Sequence, residues 1–290
     1  MATTDTPGTG MTDIERYLFD LNGFVVIPDV LDHATCDAAV AAIEQRKIPM
    51  EATPNGYESR GTWESAHQLW EAGEPFIRMI DLPQVTKLLQ LIIGPLLRLE
   101  TAYSFVRHKG CPPLEMHGGH RGGGVNFRYG VVGDSIYTGL TVVGFSLQDI
   151  SEADGGFACI PGSHKSDFHV PEEHREGLWA LDGPLVRTVA TPKGSAVVFT
   201  ECLAHGAASW RRDDPRYSLF FKYNDRAATY GYPEERRPTE STLALMSENQ
   251  RTFFNRAWSA NVDGKPEGNP SNTKPEFGDG VGRRPAAAAL

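Results

Sequence analysis

Two histidines in this chain each close an apolar, strand-like run and are followed directly by glycine. His117 comes after Leu114-Glu115-Met116, and His205 ends the run that begins at Phe199. Imidazole is a common ligand of iron, and ligands from distant strands of a β-sandwich leave coordination positions open for reactants. The residues alone leave two interpretations open: a shared metal site, or histidines that are hydrogen-bonded within loops.

The N-terminal part of the chain predicts a layer made mostly of helices. An amphipathic helix is predicted to begin near Asp13. A turn at Asn22-Gly23 then connects it to an apolar strand from Phe24 to Ile27. Asp32 is a typical N-cap for a second helix, because its side chain accepts hydrogen bonds from free backbone N–H groups. A third helix is predicted from Pro83 to Ile93, since proline is tolerated in a first helical turn.

From about Leu97 the pattern changes to short runs rich in β-branched and aromatic residues, separated by Gly, Pro, Asn and Asp. Such runs are typical of strands in an antiparallel sandwich or barrel. The clearest of them are Ile136 to Leu147, Leu185 to Ala190, Ala196 to Thr200 and Tyr217 to Tyr223. We therefore expect one mainly β domain over residues 13–258, with loose tails at residues 1–12 and 259–290.

Composition excludes several classes of protein. The 290 residues are 40% hydrophobic and 22% charged, and no apolar run is long enough for a membrane helix. A net charge of -9 argues against a nucleic-acid polymer as partner. The start of the chain lacks the basic and apolar regions of a secretory signal, and the 4 cysteines are widely spaced without a CxxC motif. A cytoplasmic enzyme or binding protein for small molecules is expected, of undetermined oligomeric state.

Several strings resemble the phytanoyl-CoA dioxygenase family of non-haem iron, 2-oxoglutarate-dependent oxygenases. The resemblance runs from about Tyr17 to Asn224. Its motifs are Asn22-Gly23-Phe24-Val25-Val26-Ile27-Pro28, Ile92-Ile93-Gly94-Pro95-Leu96, Leu147-Gln148-Asp149, Asp154-Gly155-Gly156, Ile160-Pro161-Gly162-Ser163-His164-Lys165, Lys193-Gly194-Ser195-Ala196-Val197-Val198-Phe199, His205-Gly206 and Arg216-Tyr217-Ser218-Leu219. It implies a double-stranded β-helix, the cupin-like jelly roll, with a helical layer on one side.

The resemblance also implies roles for particular residues. His117 and His205 match the two histidine ligands of Fe(II), and Arg216 matches the arginine that holds the distal carboxylate of 2-oxoglutarate, with O₂ as co-substrate. A guanidinium suits that role because it pairs bidentately with a carboxylate. Ser218 shares a strand face with Arg216 and can add a hydrogen bond. The competing interpretation of Arg216 is a surface ion pair with Asp213 or Asp214.

One position departs from the family pattern. Related oxygenases carry His-x-Asp or His-x-Glu, whereas the residue two positions after His117 is Gly119. A glycine at this place resembles the iron and 2-oxoglutarate-dependent halogenases, in which chloride binds the iron directly. Gly119 therefore predicts a halogenase that chlorinates an unactivated C–H bond of a free small molecule.

Three alternatives compete with the halogenase hypothesis. Glu115 lies on the face of His117, about 6.6 Å along an extended strand, and would give a hydroxylase with an unconventional ligand. Glu201 shares the face of His205, but an extended chain places it about 13 Å away unless a bulge intervenes. The third alternative is a non-catalytic jelly-roll binding protein.

The segment that follows His117 is the predicted substrate loop. Its glycines permit close backbone approach, and its arginines offer contacts to anions. Its candidate substrate residues are His120, Arg121, Asn126, Phe127 and Arg128. A solvated surface loop is the competing interpretation. The arginines and the single domain are similar to free-standing nucleotide chlorinases, which implies a substrate such as a deoxyadenosine monophosphate.

Overall fold

Residues 11–49, 63–121, 124–230, 237–255 and 257 are described by the computed structural model of the chain. Their helices are α1 (Asp13–Asn22), α2 (His33–Arg46), α3 (Glu74–Met79), α4 (Pro83–Ile92), α5 (Glu172–Leu178), α6 (Glu240–Leu245) and α7 (Glu248–Thr252). Their strands are β1 (Phe24–Ile27), β2 (Ile48–Pro49), β3 (Trp63–His67), β4 (Leu97–Arg107), β5 (Leu114–His117), β6 (Tyr129–Val132), β7 (Ser135–Thr138), β8 (Thr141–Ser146), β9 (Gly156–Ile160), β10 (Arg187–Thr188), β11 (Ala196–Thr200), β12 (Ala204–Ala208) and β13 (Arg216–Asp225). The mainly β class with helices is confirmed.

Two antiparallel sheets form the sandwich that was expected. Within the described residues, the larger sheet has the order β1-β11-β8-β13-β4-β3-β2, and the smaller has the order β10-β9-β12-β5. A separate hairpin pairs β6 with β7. The arrangement agrees with a jelly roll, whose two sheets pack through alternating inward-facing side chains.

The helical layer begins where the sequence predicts. The Thr12 hydroxyl accepts a hydrogen bond from the Glu15 backbone N–H, and the Glu15 carboxylate accepts one from the Thr12 backbone N–H, so α1 starts with a capping box. Asp32 caps α2 by accepting from the Thr35 N–H at 2.6 Å. Met11, which belongs to the predicted N-terminal tail, is buried in the main core. Residues 1–10 and 258–290 lie outside the described residues.

Several predicted strands differ in extent from the structure. The run Ile136 to Leu147 divides into β7 and β8, and the run Leu185 to Ala190 contributes only the two-residue strand β10. The run Tyr217 to Tyr223 lies within the longer β13. None of the described helices combines the length and apolar character required to cross a bilayer.

Candidate metal and co-substrate site

A cavity of about 50 Å³, partly open to solvent, lies between the two sheets. The larger sheet contributes residues of β4, β8, β11 and β13 to its wall, and the smaller sheet contributes residues of β5, β9 and β12. Its lining residues are Tyr103, Phe105, Arg107, Leu114, His117, Val142, Phe157, Phe199, Glu201, His205, Gly206, Ala207, Arg216, Ser218, Phe220 and Lys222. All four residues predicted for metal and co-substrate therefore face one space.

His117 and His205 are direct cross-strand partners on β5 and β12. Their ring centroids lie 4.1 Å apart. In each ring Nδ1 lies beside a backbone carbonyl, at 3.1 Å from Glu115 O for His117 and at 2.7 Å from Leu203 O for His205. An Nδ1–H that donates to a carbonyl leaves Nε2 free with its lone pair, which is the atom that binds a metal.

The two histidines differ in their exposure. His205 is buried, with 6% of its surface exposed, whereas His117 lies at the exposed mouth of the cavity. Burial, followed by the proximity of His117, lowers the pKa of His205 to about 3. His205 is thus neutral at physiological pH, as a metal ligand must be.

Glu201 completes the set of possible ligands. Ligand atoms of His117, Glu201 and His205 all lie within 4.8 Å of one another, which forms the only such cluster of three within the described part of the chain. The expectation that Glu201 is too distant was wrong, because the chain does not stay extended between Glu201 and His205. It reverses in a tight turn between β11 and β12, closed by the Leu203 N–H donating to Thr200 O at 2.9 Å.

The carboxylate of Glu201 is held by a lysine of the larger sheet. Lys222 Nζ donates to Glu201 Oε1 at 2.6 Å, and both side chains are largely buried. Burial alone raises the pKa of Glu201, but the charge of Lys222 and its hydrogen bond counteract burial, so the net shift is downward. The downward shift favours the ionised carboxylate of Glu201 beside the two histidines.

Arg216 and Ser218 lie on β13 with their side chains buried in the same cavity. Arg216 Nε and Ser218 Oγ have no hydrogen-bond partner among the described residues. Burial and the nearby Arg107 lower the pKa of Arg216 to about 9. Buried donors without partners are costly, so this end of the cavity fits an anionic ligand such as the carboxylate of 2-oxoglutarate.

The surface ion pair considered for Arg216 is not formed. Asp213 instead accepts from Lys109 at 2.6 Å, and Asp214 is bound by both Nε and Nη2 of Arg212. Both aspartates lie in the turn before β13, whereas Arg216 is buried.

Gly119 has a structural explanation that the sequence did not reveal. Its backbone φ is 81°, in the left-handed region, and its N–H donates to Cys202 O at 2.8 Å. A Cβ here would lie 2.9 Å from Ala204 Cβ and 3.0 Å from the Trp179 ring. Glycine is thus required by backbone conformation and close packing, so its presence does not by itself indicate a vacated ligand position.

Glu115, the other alternative carboxylate, is exposed on β5. Its side chain is not part of the cluster formed by His117, Glu201 and His205. Within the described residues the carboxylate beside the two histidines is therefore Glu201.

The predicted substrate loop does not line this cavity. Arg121 forms a bidentate ion pair with Asp167 at 2.5 and 2.9 Å, on the surface. Arg128 Nε donates to the backbone oxygen of Thr138 at 3.3 Å. Both arginines are engaged by the protein's own groups, which is why they do not act as free anion contacts in the structure. Residues 122 and 123 of the loop lie outside the described residues.

The remaining loop residues also make contacts within the fold. Asn126 Nδ2 donates to Thr229 O at 2.9 Å, and Phe127 packs against the main core. The His120 ring lies 3.8 Å from the His169 ring, centroid to centroid. The prediction that these residues contact substrate therefore finds no support in the geometry of the cavity.

Sequence reasoning missed several residues of the cavity wall. Phe220 and Lys222 continue the alternation of Arg216 and Ser218 along β13, so all four share one face. This period-two pattern was visible in the sequence and would have identified both. Tyr103, Phe105 and Arg107 of β4 show the same spacing.

A family comparison agrees with this arrangement. Residues 19–218 match the model of the phytanoyl-CoA dioxygenase (PhyH) family. The match spans more than half of the chain, and the chain belongs to this family. It is accordingly a non-haem iron, 2-oxoglutarate-dependent oxygenase by class, which sets aside the alternative of a non-catalytic binding protein. No curated protein matches the chain by sequence.

Solved structures share the fold at low sequence identity. HygX from Streptomyces hygroscopicus, solved with nickel and 2-oxoglutarate bound, is 23% identical with a TM-score of 0.67, covering 76% of this chain and 89% of HygX. The carbocyclase SnoK from nogalamycin biosynthesis is 18% identical with a TM-score of 0.57, covering 83% and 94%. The epimerase SnoN from the same biosynthesis is 19% identical with a TM-score of 0.55, covering 73% and 82%. These likenesses support the jelly-roll fold.

Proposed function

We propose that this protein is an Fe(II)- and 2-oxoglutarate-dependent hydroxylase of a free small molecule, with His117, Glu201 and His205 as metal ligands. The observation that carries the proposal is the cluster of these three ligand groups within 4.8 Å, where two imidazoles and a carboxylate meet. Two histidines and one carboxylate are the ligand set that suits non-haem Fe(II) in oxygenases. HygX, with its bound nickel and 2-oxoglutarate, lends support as a similar fold.

The deep end of the cavity is proposed to hold 2-oxoglutarate. Arg216 supplies a planar pair of donors for its distal carboxylate, and Ser218 supplies a hydroxyl two residues along the same strand face. The chemistry supplied by bound Fe(II) and 2-oxoglutarate is activation of O₂, coupled to conversion of 2-oxoglutarate into succinate and CO₂. The chain's own residues hold the co-substrate and keep the reacting groups between two sheets, away from bulk water.

The mouth of the cavity determines how a substrate approaches. Its half-buried wall consists of Tyr103, Phe105 and Phe220, whose ring centroids lie 5.1 to 6.2 Å apart. This apolar surface lines the same cavity as His117 and suits the hydrocarbon part of a small molecule. A nucleotide substrate stays a prediction. Arg121 and Arg128, the arginines that suggested it, form hydrogen bonds with other groups of the protein and do not line the cavity.

Halogenation is the second candidate function, and Gly119 is the observation that favours it. In that case Glu201 would remain paired with Lys222, and chloride would take the place of a carboxylate ligand. The two candidates differ in whether Glu201 binds the metal.

Glu201→Gln tests the ligand set directly. Under the hydroxylase proposal, anaerobic Fe(II) affinity should fall by at least roughly 100-fold and the weak visible band of the Fe(II)–2-oxoglutarate complex should disappear. The matched control is Glu115→Gln, an exposed carboxylate two residues from His117, which should bind Fe(II) as the unmodified protein does. Normal Fe(II) binding by Glu201→Gln would overturn the proposed ligand set.

Product analysis separates the two reactions. A panel of small metabolites, deoxyadenosine monophosphate included, is incubated with enzyme, Fe(II), 2-oxoglutarate, ¹⁸O₂ and saturating chloride, and products are identified by mass spectrometry. The hydroxylase proposal expects a product that carries ¹⁸O and no chlorine. A chlorinated product would instead establish the halogenase.

A further inference from the structure

Lys222 is a buried cation in the cavity wall that is neither a proposed metal ligand nor a proposed contact of 2-oxoglutarate. It lies on β13 six residues after Arg216, on the same face of the strand, and its side chain is only 13% exposed. Its Nζ atom donates to Glu201 Oε1 at 2.6 Å and lies 5.8 Å from the centroid of the Tyr103 ring. The Tyr230 ring lies at a similar distance of 5.7 Å.

The contact between Lys222 and Glu201 fixes one oxygen of the carboxylate. A carboxylate has two oxygens and can bind a metal through one or through both. An ammonium is a compact point charge, so it occupies one oxygen and leaves the other free. A carboxylate oxygen of Glu201 belongs to the group whose ligand atoms converge within 4.8 Å.

The surroundings keep this pair in place. Glu201 is 5% exposed in its side chain, and the two aromatic rings around Lys222 leave the ammonium little freedom to choose another partner. Removing one member of a buried pair leaves the other charge uncompensated, so each side chain holds the other in position. Lys222 lies on β13 and Glu201 directly follows β11 of the same larger sheet, so the pair connects two parts of one sheet across the intervening strand β8.

We propose that Lys222 is a positioning residue that restricts Glu201 to binding the metal through a single oxygen. The inference rests on the proposed function, in which Glu201 is a ligand. A second oxygen on the metal would fill the coordination position that O₂ requires. Lys222 thus keeps that position open without itself touching the metal.

Lys222→Arg is the main test, because it keeps the positive charge and so preserves the balance of the buried pair. Its planar fork pairs with both oxygens of a carboxylate, so it should draw Glu201 away from the metal. Lys222→Met tests the opposite change, in which nothing restrains the second oxygen. Lys193→Met is the control, since Lys193 forms a comparable pair with Asp37 outside the cavity.

Two separate measurements report on the coordination of the bound metal and on the turnover of 2-oxoglutarate. With Co(II) in place of Fe(II), the visible absorption of both Lys222 variants should differ from that of the unmodified protein, because coordination number sets its intensity. Uncoupled 2-oxoglutarate turnover with Fe(II) should fall by about 10- to 100-fold in kcat, as for other groups that orient a ligand. The KM for 2-oxoglutarate should change by less than about threefold, because Arg216 and Ser218 are intact.

Failure of this proposal is distinguishable from failure of the proposed function. If Glu201→Gln loses Fe(II) while Lys222→Arg shows an unchanged Co(II) spectrum and unchanged kcat, the role of Lys222 is overturned and the ligand set stands. If Glu201→Gln binds Fe(II) normally, the ligand set and the role of Lys222 are overturned together. Should Lys222→Met not fold, Lys222→Arg decides the question alone.

Discussion

The two segments that supply the histidines look alike in sequence but contribute differently to the site. The first is residues 114–119, and the second is residues 201–206; each carries a histidine followed by glycine. The first places His117 at the exposed mouth, and its neighbouring carboxylate, Glu115, points into solvent. The second buries His205 and turns Glu201 back beside it. Strand geometry keeps a carboxylate apart in one segment, and a turn brings a carboxylate to the histidine in the other.

The glycines of the two segments have reciprocal roles. A Cβ on Gly118 would collide with the backbone oxygens of Leu203 and Glu201, in the second segment. A Cβ on Gly206 would lie 2.5 Å from Leu114 O and 3.1 Å from Glu115 O, in the first. Each glycine therefore lets the backbone of the other segment approach closely, and this approach brings the two imidazole rings together.

The largest effects are expected from the histidines themselves. His117→Ala and His205→Ala should each weaken anaerobic Fe(II) binding by at least roughly 100-fold, because one imidazole and one carboxylate are a poor site. Their effects on the metal-free protein should differ: about 1–3 kcal/mol lost for buried His205 and less than about 0.5 kcal/mol for exposed His117. Urea unfolding measures this difference. Equal destabilisation by both variants would contradict the contrast between the two segments.

Gly118→Ala tests the close approach of the backbones. The variant combines a strained φ of 79° with a collision against backbone oxygens, so unfolding should become easier by about 3 kcal/mol or more. Gly133→Ala is the control, because its φ of 59° is also positive but no atom lies within 4 Å of its added Cβ. That variant should cost only about 1–2 kcal/mol. If both cost the same, the backbone contact is not what requires glycine at position 118.

The pH dependence of the free energy of unfolding tests the role of His164, a buried histidine beside the second segment. His164 is fully buried, its Nε2–H donates to Asp20 O at 3.0 Å, and burial lowers its pKa from 6.5 to about 4. The unfolded chain therefore binds a proton that the folded chain does not, so the free energy of unfolding is fully retained above pH 6.5 and falls as the pH drops toward 4. The loss should reach about 3 kcal/mol.

Urea titrations of the metal-free protein between pH 7 and 4 measure how the free energy of unfolding changes with pH. His164→Gln keeps a donor for the Asp20 carbonyl without a titrating ring, so its stability should depend less on pH. A slope identical to that of the unmodified protein would show that other groups cause the acid sensitivity.

Arg216 lies outside both segments, so its loss should affect the co-substrate and spare the metal. Arg216→Lys keeps the charge but loses the fork, and should weaken 2-oxoglutarate binding by about 1.5–3 kcal/mol. Titration of the visible band of the Fe(II)–2-oxoglutarate complex measures it, with Fe(II) affinity as the internal control. Unchanged 2-oxoglutarate affinity would place the anchor at another residue.

Local sequence signals were sufficient to predict much of the fold. The caps at Thr12 and Asp32 and the turn at Gly23 follow from contacts within a few residues, and these contacts form in the same way in any tertiary setting. Strand β11 was predicted from its run of β-branched and aromatic residues, although its hydrogen bonds are made to the distant strands β1 and β8. Motif likeness added the family and the roles of His117, His205 and Arg216, and the structure brings these three side chains to one cavity.

Tertiary structure alone decided which carboxylate lies beside the histidines. From the sequence, Glu115 at two residues from a histidine looked nearer than Glu201 at four, because an extended chain was assumed in both cases. The turn before β12 reverses this order, and the contact with Lys222 comes from β13, which lies two strands away from β11 in the larger sheet. The significance of Gly119 changed for the same reason: its positive φ and its packing against Ala204 and Trp179 arise only when β5 and β12 are paired. Distances across a sandwich depend on strand pairing and turns, which spacing along the chain does not contain.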